Sequence, residues 1–280
     1  MNDLSSDEHR LISEYIYNIS GITIEYEKSY LIEARLGYLI KELGLKSYSE
    51  LYHRSISDPS KSLETRIIDA ITTNETLFFR DNLPFELLKH KILPELIDRR
   101  SPENANMPTP IKVWSAACST GQEIFSIAII LNKLLFNFNN FNIKLFATDI
   151  SNAAISQASK GIYNKFEIER GLNYKDLSRY FQLEGNYWKI NKDIRQMVVF
   201  KNQNLMAPFN FHSKFDIIFC RNVAIYFKIE DRKILFDKIS EILQPDGYLI
   251  IGATESLTGI CPLFEAKRHL GSVFYQLKNT

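Results

Sequence analysis

The chain lacks most of the residue patterns that announce a dedicated chemistry. Its 280 residues hold three cysteines, Cys118, Cys220 and Cys261, widely spaced and without a C-x-x-C pair. That excludes a disulfide framework and a cysteine zinc site, and it suits a reducing compartment. The five histidines (His9, His53, His90, His212 and His269) are scattered, so no metal is expected. No apolar run approaches the ~18 residues of a membrane-spanning helix. Formal net charge is only +1, which implies no global pull toward nucleic acid or membrane. The polar, acidic start M-N-D-L-S-S-D-E is unlike a secretory signal, and the protein is expected to be cytoplasmic. What remains is an ordinary globular composition, 45% hydrophobic and 24% charged, with a length that predicts about two domains.

The most informative stretch is Ile111 to Glu123, I-K-V-W-S-A-A-C-S-T-G-Q-E. Its first four residues read as a buried strand, and Ser115 to Gly121 are the small residues of a sharp turn. From Glu123 the stripe Ile124, Ile127, Ala128, Leu131, Leu134 and Leu135 predicts an amphipathic helix. Strand, tight loop and helix N-terminus suit a nucleotide-like ligand. The loop holds one glycine in place of G-x-G-x-x-G, which argues against a nicotinamide cofactor.

Before this stretch the chain reads as helical. Leu11, Ile12, Tyr15, Ile16 and Ile19 form one stripe, started by a cap at Ser5–Glu8 and stopped at Gly21. A second helix is predicted over Glu27–Leu43 with Leu31, Leu36, Leu39, Ile40 and Leu43 inward, followed by shorter helices around 48–55 and 63–71. A small all-α domain over residues 1–75 is expected. A linker follows over 76–110, with a helix from Pro84 to about Asp98 and a proline-bearing connector at 101–110. After Glu123, strand Ile143–Asp149 and a helix from Ala153 to Lys160 continue an alternation that predicts a parallel sheet. Residues 180–205 interrupt it around the turn signal Glu184-Gly185-Asn186 and read as a small antiparallel insertion. The strand Phe215–Cys220, helix Glu230–Leu243, turn Pro245-Asp246-Gly247 and strands Tyr248–Gly252 and Ser272–Leu277 complete a third unit, 111–280.

Three features fall at the C-terminal ends of strands, where open α/β sheets bind ligands: the Ala116–Gly121 loop, Asp149, and Arg221-Asn222. A carboxylate there can take both hydroxyls of a ribose, and a helix N-terminus can face an anionic group. Ribose plus carboxylate, without pyrophosphate glycines, points to S-adenosylmethionine. Taken singly, Asp149 would serve as a helix cap, Arg80 as a surface ion-pair residue and Tyr226 as a core aromatic. Cys118 and Cys220 read as packed small residues, not nucleophiles.

Together these segments resemble one family. T-T-N-E-T-L-F-F-R at 72–80, W-S-A-A-C-S-T-G at 114–121, A-T-D-I at 147–150, S-K-G-I-Y at 159–163, F-C-R-N-V-A-I-Y-F at 219–227 and L-Q-P-D-G at 243–247 are similar to the chemotaxis receptor methyltransferases, the CheR family. The resemblance implies an all-α N-terminal domain before a Rossmann-like, class I S-adenosylmethionine-dependent methyltransferase domain of α/β class with an inserted antiparallel β-subdomain. It implies methyl transfer to glutamate side chains on the cytoplasmic helical bundle of chemoreceptors, with S-adenosylhomocysteine as product and a monomer as the acting species. Cofactor contacts are assigned by the resemblance to Asn74, Thr76, Arg80, Glu123, Asp149, Asn204, Leu205, Arg221 and Asn222. By the same analogy Asp149 holds the ribose, Asn204-Leu205 the adenine edge, and Arg80 and Tyr226 stand nearest the transferring methyl.

Two alternatives compete with this reading: a small-molecule methyltransferase of the same fold, and a cofactor-binding adaptor without catalysis. Nucleobase chemistry is disfavoured, since Arg221-Asn222-Val223 stands where an Asn/Asp-Pro-Pro-aromatic motif is expected. The chain departs from the family's pattern at Gln122 and Ile124. In its second helix Lys28, Arg35 and Lys41 interleave with Glu25, Glu27, Glu33 and Glu42, so strong electrostatic steering is not expected. The short turn at Leu183–Tyr187 implies no grip on a receptor's C-terminal pentapeptide by strand addition.

Overall fold

The structure, a computed structural model, describes residues 4–100, 108–135 and 141–278. Four helices form the first unit: α1 (Ser6–Ser20), α2 (Ser29–Glu42), α3 (Tyr48–Ile56) and α4 (Ser62–Ile71). Ser5 and Glu8 close a reciprocal capping box at the start of α1. The same Glu8 carboxylate accepts from Tyr48 N at 2.9 Å, which fixes α3 against α1. Ile12, Ile16, Ile32, Leu36, Leu51 and Ile67 form the fully buried centre of this unit. On α2 the inward stripe begins at Ile32 and not at Leu31, because the helix follows a 3-10 turn at Tyr26–Lys28 that resets its phase.

The helix expected from Pro84 is present in three parts. α5 (Leu83–Leu87) runs through a π-helical turn at Leu88–Ile92 into α6 (Leu93–Arg100). Pro94 has no N–H to return to the carbonyl four residues back, and the wider turn before it accommodates that loss. Most of the expected connector at 101–110 lies outside the described residues.

The second unit follows as β1 (Thr109–Ala116), α7 (Gln122–Leu134), β2 (Phe141–Asp149), α8 (Asn152–Lys160), β3 (Ile162–Asn164), α9 (Lys165–Glu169), α10 (Tyr174–Tyr180), β4 (Phe181–Glu184), β5 (Tyr187–Ile190), α11 (Lys192–Arg195), β6 (Val198–Asn202), β7 (Phe215–Cys220), α12 (Ile229–Ile242), β8 (Leu243–Ile251), β9 (Phe264–His269) and β10 (Ser272–Leu277). The seven-stranded sheet has the order β6-β2-β1-β7-β8-β10-β9. Its first five strands are parallel, and β10 runs antiparallel to both neighbours. Side chains alternate between two cores. Ile111, Val113, Ile217, Phe219 and Ile250 meet α5–α7 on one face, and Trp114, Ala116, Ile218, Cys220 and Leu249 meet α12 on the other.

Three differences from the sequence reading stand out. The antiparallel sheet has the order β3-β5-β4, so it starts at Ile162 and not near residue 180. Val198-Val199-Phe200, grouped with that excursion on sequence, is instead the edge strand of the main sheet, parallel to β2 from Leu145↔Val198 onward. The helix α11 turns the chain out of the small sheet, and the alternation of buried Val198 with exposed Val199 then serves a different layer. The segment read as a turn at Pro245-Asp246-Gly247 is absorbed into β8 as an irregularity in its register with β7. Among the described residues, no helix is long and apolar enough to cross a membrane.

The N-terminal edge of the sheet is fixed by one ionic cluster. Arg100 donates from Nη2 to Asp216 Oδ1 at 3.1 Å and from Nη1 to Asp246 Oδ2 at 2.7 Å. Asp216 is buried, and its other oxygen accepts from Lys112 N at 2.9 Å. Arg100→Met leaves that carboxylate buried without its cation and is expected to destabilise the fold by about 2–3 kcal/mol. Chemical denaturation checks this. A midpoint equal to that of the wild type would mean that the cluster is exposed in solution.

Candidate active site

The C-terminal ends of β1, β2, β6 and β7 open into one cleft. All ten positions singled out on sequence line it: Asn74, Thr76, Arg80, Glu123, Asp149, Asn204, Leu205, Arg221, Asn222 and Tyr226. They come from five separate chain segments, and the fold brings them together. The first unit adds a wall that sequence reasoning missed. Ser20 and Ile22, at and just past the end of α1, and Thr72 and Thr73, just past α4, also line the cleft.

The helical unit is anchored there by specific bonds. Thr23 N donates to Tyr226 O at 3.0 Å, and Asn204 Nδ2 donates to Ile19 O at 3.1 Å. Ser151 Oγ donates to Asp69 Oδ1 at 2.7 Å, joining α4 to the start of α8. Arg35 of α2 donates to Ile71 O at 2.6 Å and to Thr73 Oγ1 at 2.9 Å, holding the junction that leads into the cleft wall.

Backbone strain concentrates at the same place. Phe79, Asp81, Asn82, Ala117, Ser119 and Asn222 all have positive φ without being glycine. Such conformations persist where surrounding structure over-determines them, and they cluster at ligand sites. The single loop glycine, Gly121, has φ 96, and a Cβ there would lie 3.0 Å from Ala158 Cβ and 3.1 Å from the Tyr163 hydroxyl. Ala117, Cys118 and Ser119 face the cleft, whereas Thr120 donates to Gln122 Oε1 and stays behind it.

Asp149 ends β2 and is buried. One carboxylate oxygen accepts from Ser119 N at 2.8 Å and the other from Ser151 N at 2.9 Å. Each oxygen therefore keeps a lone pair, the arrangement needed to accept two vicinal hydroxyls. Burial pushes this carboxyl above the usual aspartate range, against the pull of those backbone bonds. The sign of the consequence is opposite for ligand and fold. On acidification Asp149 takes up its proton before an exposed aspartate would, so the unliganded fold gains stability relative to the unfolded chain, and that contribution is lost as pH rises through the raised value. A ligand held by the ionised form binds more weakly over the same window. Cofactor affinity is therefore expected to fall on acidification at a higher pH than an exposed aspartate would cause, and calorimetry as a function of pH checks it. A flat profile would mean that the carboxylate does not receive the ligand's hydroxyls.

The two arginines of the cleft differ in their partners. Arg221 is buried and neutralised: Nη1 donates to Glu123 Oε2 at 2.9 Å, and Nη2 to Asp81 Oδ2 at 2.8 Å and to Arg80 O at 2.9 Å. Glu123 is held in turn by Ser115 Oγ at 2.7 Å. Arg80 is half-buried, donates to Glu75 O at 3.1 Å, and has no ion pair among the described residues. Tyr226 is half-buried, and its hydroxyl has no partner among the described residues. Asn204 has both ends of its amide engaged, by Ile19 O and by Met206 N, so its side chain shapes the wall and the adjoining backbone is what it offers a ligand. Among the described residues, no histidine lines the cleft. Cys118 and Cys220 are buried, and burial raises both thiols well above their ordinary range, which removes them as nucleophiles.

Comparison with known proteins decides the lineage. Residues 7–72 match the CheR methyltransferase all-alpha domain, and residues 74–269 match the CheR methyltransferase SAM binding domain. The chain belongs to the CheR methyltransferase family. It is 37% identical over 270 residues to the chemotaxis protein methyltransferase Cher2 of Pseudomonas putida, covering 94% of this chain and 95% of that one. It is 36% identical over 278 residues to a chemotaxis protein methyltransferase of Vibrio parahaemolyticus, covering 98% of each.

The cofactor of this family, S-adenosylmethionine, fits the residues present. The half-saturated Asp149 carboxylate suits a ribose, and the absence of a glycine-rich phosphate loop matches a ligand without pyrophosphate. The chain is a Rossmann-like S-adenosylmethionine-dependent methyltransferase with an all-α domain before it and a small three-stranded antiparallel sheet beside it.

Proposed function

We propose that the chain methylates glutamate side chains on the cytoplasmic helical bundle of chemoreceptors, giving glutamyl methyl esters that serve chemotactic adaptation. The carrying observation is Arg80, the cation of the cleft without an ion pair among the described residues, beside a Tyr226 hydroxyl without a partner. When bound, S-adenosylmethionine supplies a methyl group on a sulfonium, an electrophile that an anionic oxygen displaces. With no histidine in the cleft and both thiols locked as the neutral form, the substrate has to arrive already nucleophilic. A glutamate, with an ordinary pKa of about 4.3, meets that condition at neutral pH.

Asp149 and the backbone following Asn204 hold the nucleoside end in this reading, and the neutral Glu123–Arg221 pair lines the methionine end. Arg80 takes the incoming carboxylate through its forked donors, and Tyr226 holds one oxygen while the other attacks. Catalysis is then mainly positioning. The helical unit supports a protein substrate over a small molecule, since it builds one wall of the cleft and leaves one face of α2, with Tyr30 and Tyr38, exposed. The relatives matched over nearly their whole length are named as chemotaxis protein methyltransferases.

The decisive experiment gives the protein labelled S-adenosylmethionine and receptor cytoplasmic fragments. Base-labile label on the receptor, abolished by Glu→Gln changes at the labelled positions, is the expected result. Cofactor binding without any label on receptor would overturn the substrate assignment and leave the fold standing.

The small sheet bears on docking. Its β4–β5 turn is closed at Glu184–Tyr187, where Lys189 Nζ pairs with Glu184 at 3.1 Å. A turn this short offers little beyond the edge strand itself, so no measurable affinity for a receptor-tail pentapeptide is expected in calorimetry. A clear binding isotherm would contradict that.

A further inference from the structure

Glu255 lies outside every motif considered so far, yet it reaches the backbone of the cleft. β7 ends at Cys220, and Arg221 and Asn222 then turn across the opening with Asn222 at φ 56. β8 ends next to it, and Gly252 to Glu255 form a tight turn closed by Glu255 N donating to Gly252 O at 3.0 Å. The Glu255 carboxylate folds back from that turn. Its Oε2 accepts from Asn222 N at 2.8 Å and from Gly252 N at 2.7 Å.

Two further observations show how closely these parts fit. A Cβ at Gly252 would lie 2.6 Å from Glu255 Oε2 and 2.8 Å from Asn222 Nδ2, so a side chain there would expel the carboxylate. The second oxygen, Oε1, is buried and has no hydrogen-bond partner among the described residues. One acidic side chain thus ties the ends of two adjacent strands together at the residue whose backbone is strained.

We propose that Glu255 is a positioning residue, which clamps the Arg221–Asn222 turn in the left-handed conformation that the cofactor requires. Without the clamp, Asn222 N loses its acceptor and the turn relaxes toward the extended or right-handed conformations that an asparagine prefers. The Arg221 guanidinium, held by Glu123 and Asp81, stays in place while the residue after it moves. The effect should therefore fall on cofactor affinity and not on the chemistry at Arg80 and Tyr226. This inference rests on the reading of Arg221 and Asn222 as a wall of the cofactor site.

Three variants separate clamping from charge and from bulk stability. Glu255→Gln keeps an amide oxygen at the same reach to accept both N–H groups. Glu255→Asp keeps the charge but is one methylene too short to span them. Glu255→Ala removes both. With S-adenosylhomocysteine as the probe in calorimetry, Glu255→Asp and Glu255→Ala are expected to raise Kd about tenfold or more, and Glu255→Gln to stay within about threefold of wild type. Turnover at saturating S-adenosylmethionine is expected to change by less than about threefold in all that fold. Wild-type affinity in Glu255→Asp, or equal loss in Glu255→Gln and Glu255→Asp, would overturn the proposal. If Glu255→Ala fails to fold, the Asp and Gln pair still decides the matter. Asn222→Ala tests the underlying reading separately. Wild-type affinity in that variant would remove the cofactor from this wall whatever the Glu255 variants do.

Discussion

Asp149→Ala is expected to raise the Kd for S-adenosylhomocysteine by about 100-fold or more, because hydrogen bonds to an ionised acceptor contribute about 1.5–3 kcal/mol each and two are lost. The geometry behind the number is the carboxylate whose two oxygens are each fixed by one backbone N–H, from Ser119 and from Ser151. Nothing has to move for the remaining lone pairs to meet a pair of hydroxyls. The unliganded protein should suffer far less than the ligand complex. Removing the side chain strands two N–H groups, but it also relieves the cost of burying a carboxylate, which is what holds its pKa up. Calorimetry and thermal unfolding on the same variant separate the two effects. Asp149→Asn keeps one acceptor but turns an NH2 toward the second backbone N–H, and should resemble alanine in affinity. A loss below about fivefold in both variants would place the ribose elsewhere in the cleft.

Much of this site was legible because its signals are local. A strand that stops at a run of small residues, a carboxylate at the end of the next strand, and Arg221-Asn222 after an apolar run each report a backbone event within a few residues. Their meeting in one cleft follows from parallel β1, β2 and β7, which alternation alone implies. What escaped reading depends on long-range pairing. Val198 to Phe200 looks like any short apolar run, and only the register with Leu145 to Ala147 places it on the main sheet. Pro245 and Gly247 carry a turn signal that a strand overrides at an irregular register. Glu255 gives no sign in its own neighbourhood, since its partners lie at Gly252 and, 33 residues away, at Asn222. The contribution of Ser20, Ile22, Thr72 and Thr73 to the cleft was equally hidden, because helical periodicity reports the face turned inward and not what a helix end touches in another unit. The one inward residue misplaced on α2, Leu31 for Ile32, has a smaller cause in the 3-10 turn that shifts the helix phase.

The sharpest test of chemistry concerns the free cation. Arg80→Met keeps the stem that packs in the wall and removes the fork, so kcat/KM for receptor methylation is expected to fall about 1000-fold, on the scale of a lost preorganised charge contact in a partly water-excluded site. Arg221 cannot substitute, since it is buried and both its terminal nitrogens are engaged, by Glu123, Asp81 and the Arg80 carbonyl. Arg80→Lys should recover only part of the loss, because an ammonium restores charge but not the bidentate grip that orients a carboxylate. Tyr226→Phe deletes one oxygen and leaves the ring, and its effect should be a drop in kcat of about 10–100-fold with Kd for S-adenosylhomocysteine nearly unchanged. Its backbone carbonyl still accepts from Thr23 N, so the contact between the helical unit and the cleft survives the change. The pair of results distinguishes two arrangements. Loss of turnover in both variants with cofactor binding retained in Tyr226→Phe puts the substrate carboxylate between Arg80 and Tyr226. Parallel loss of cofactor affinity in both would mean that these side chains hold the donor, and that the acceptor glutamate is oriented by the helical wall instead.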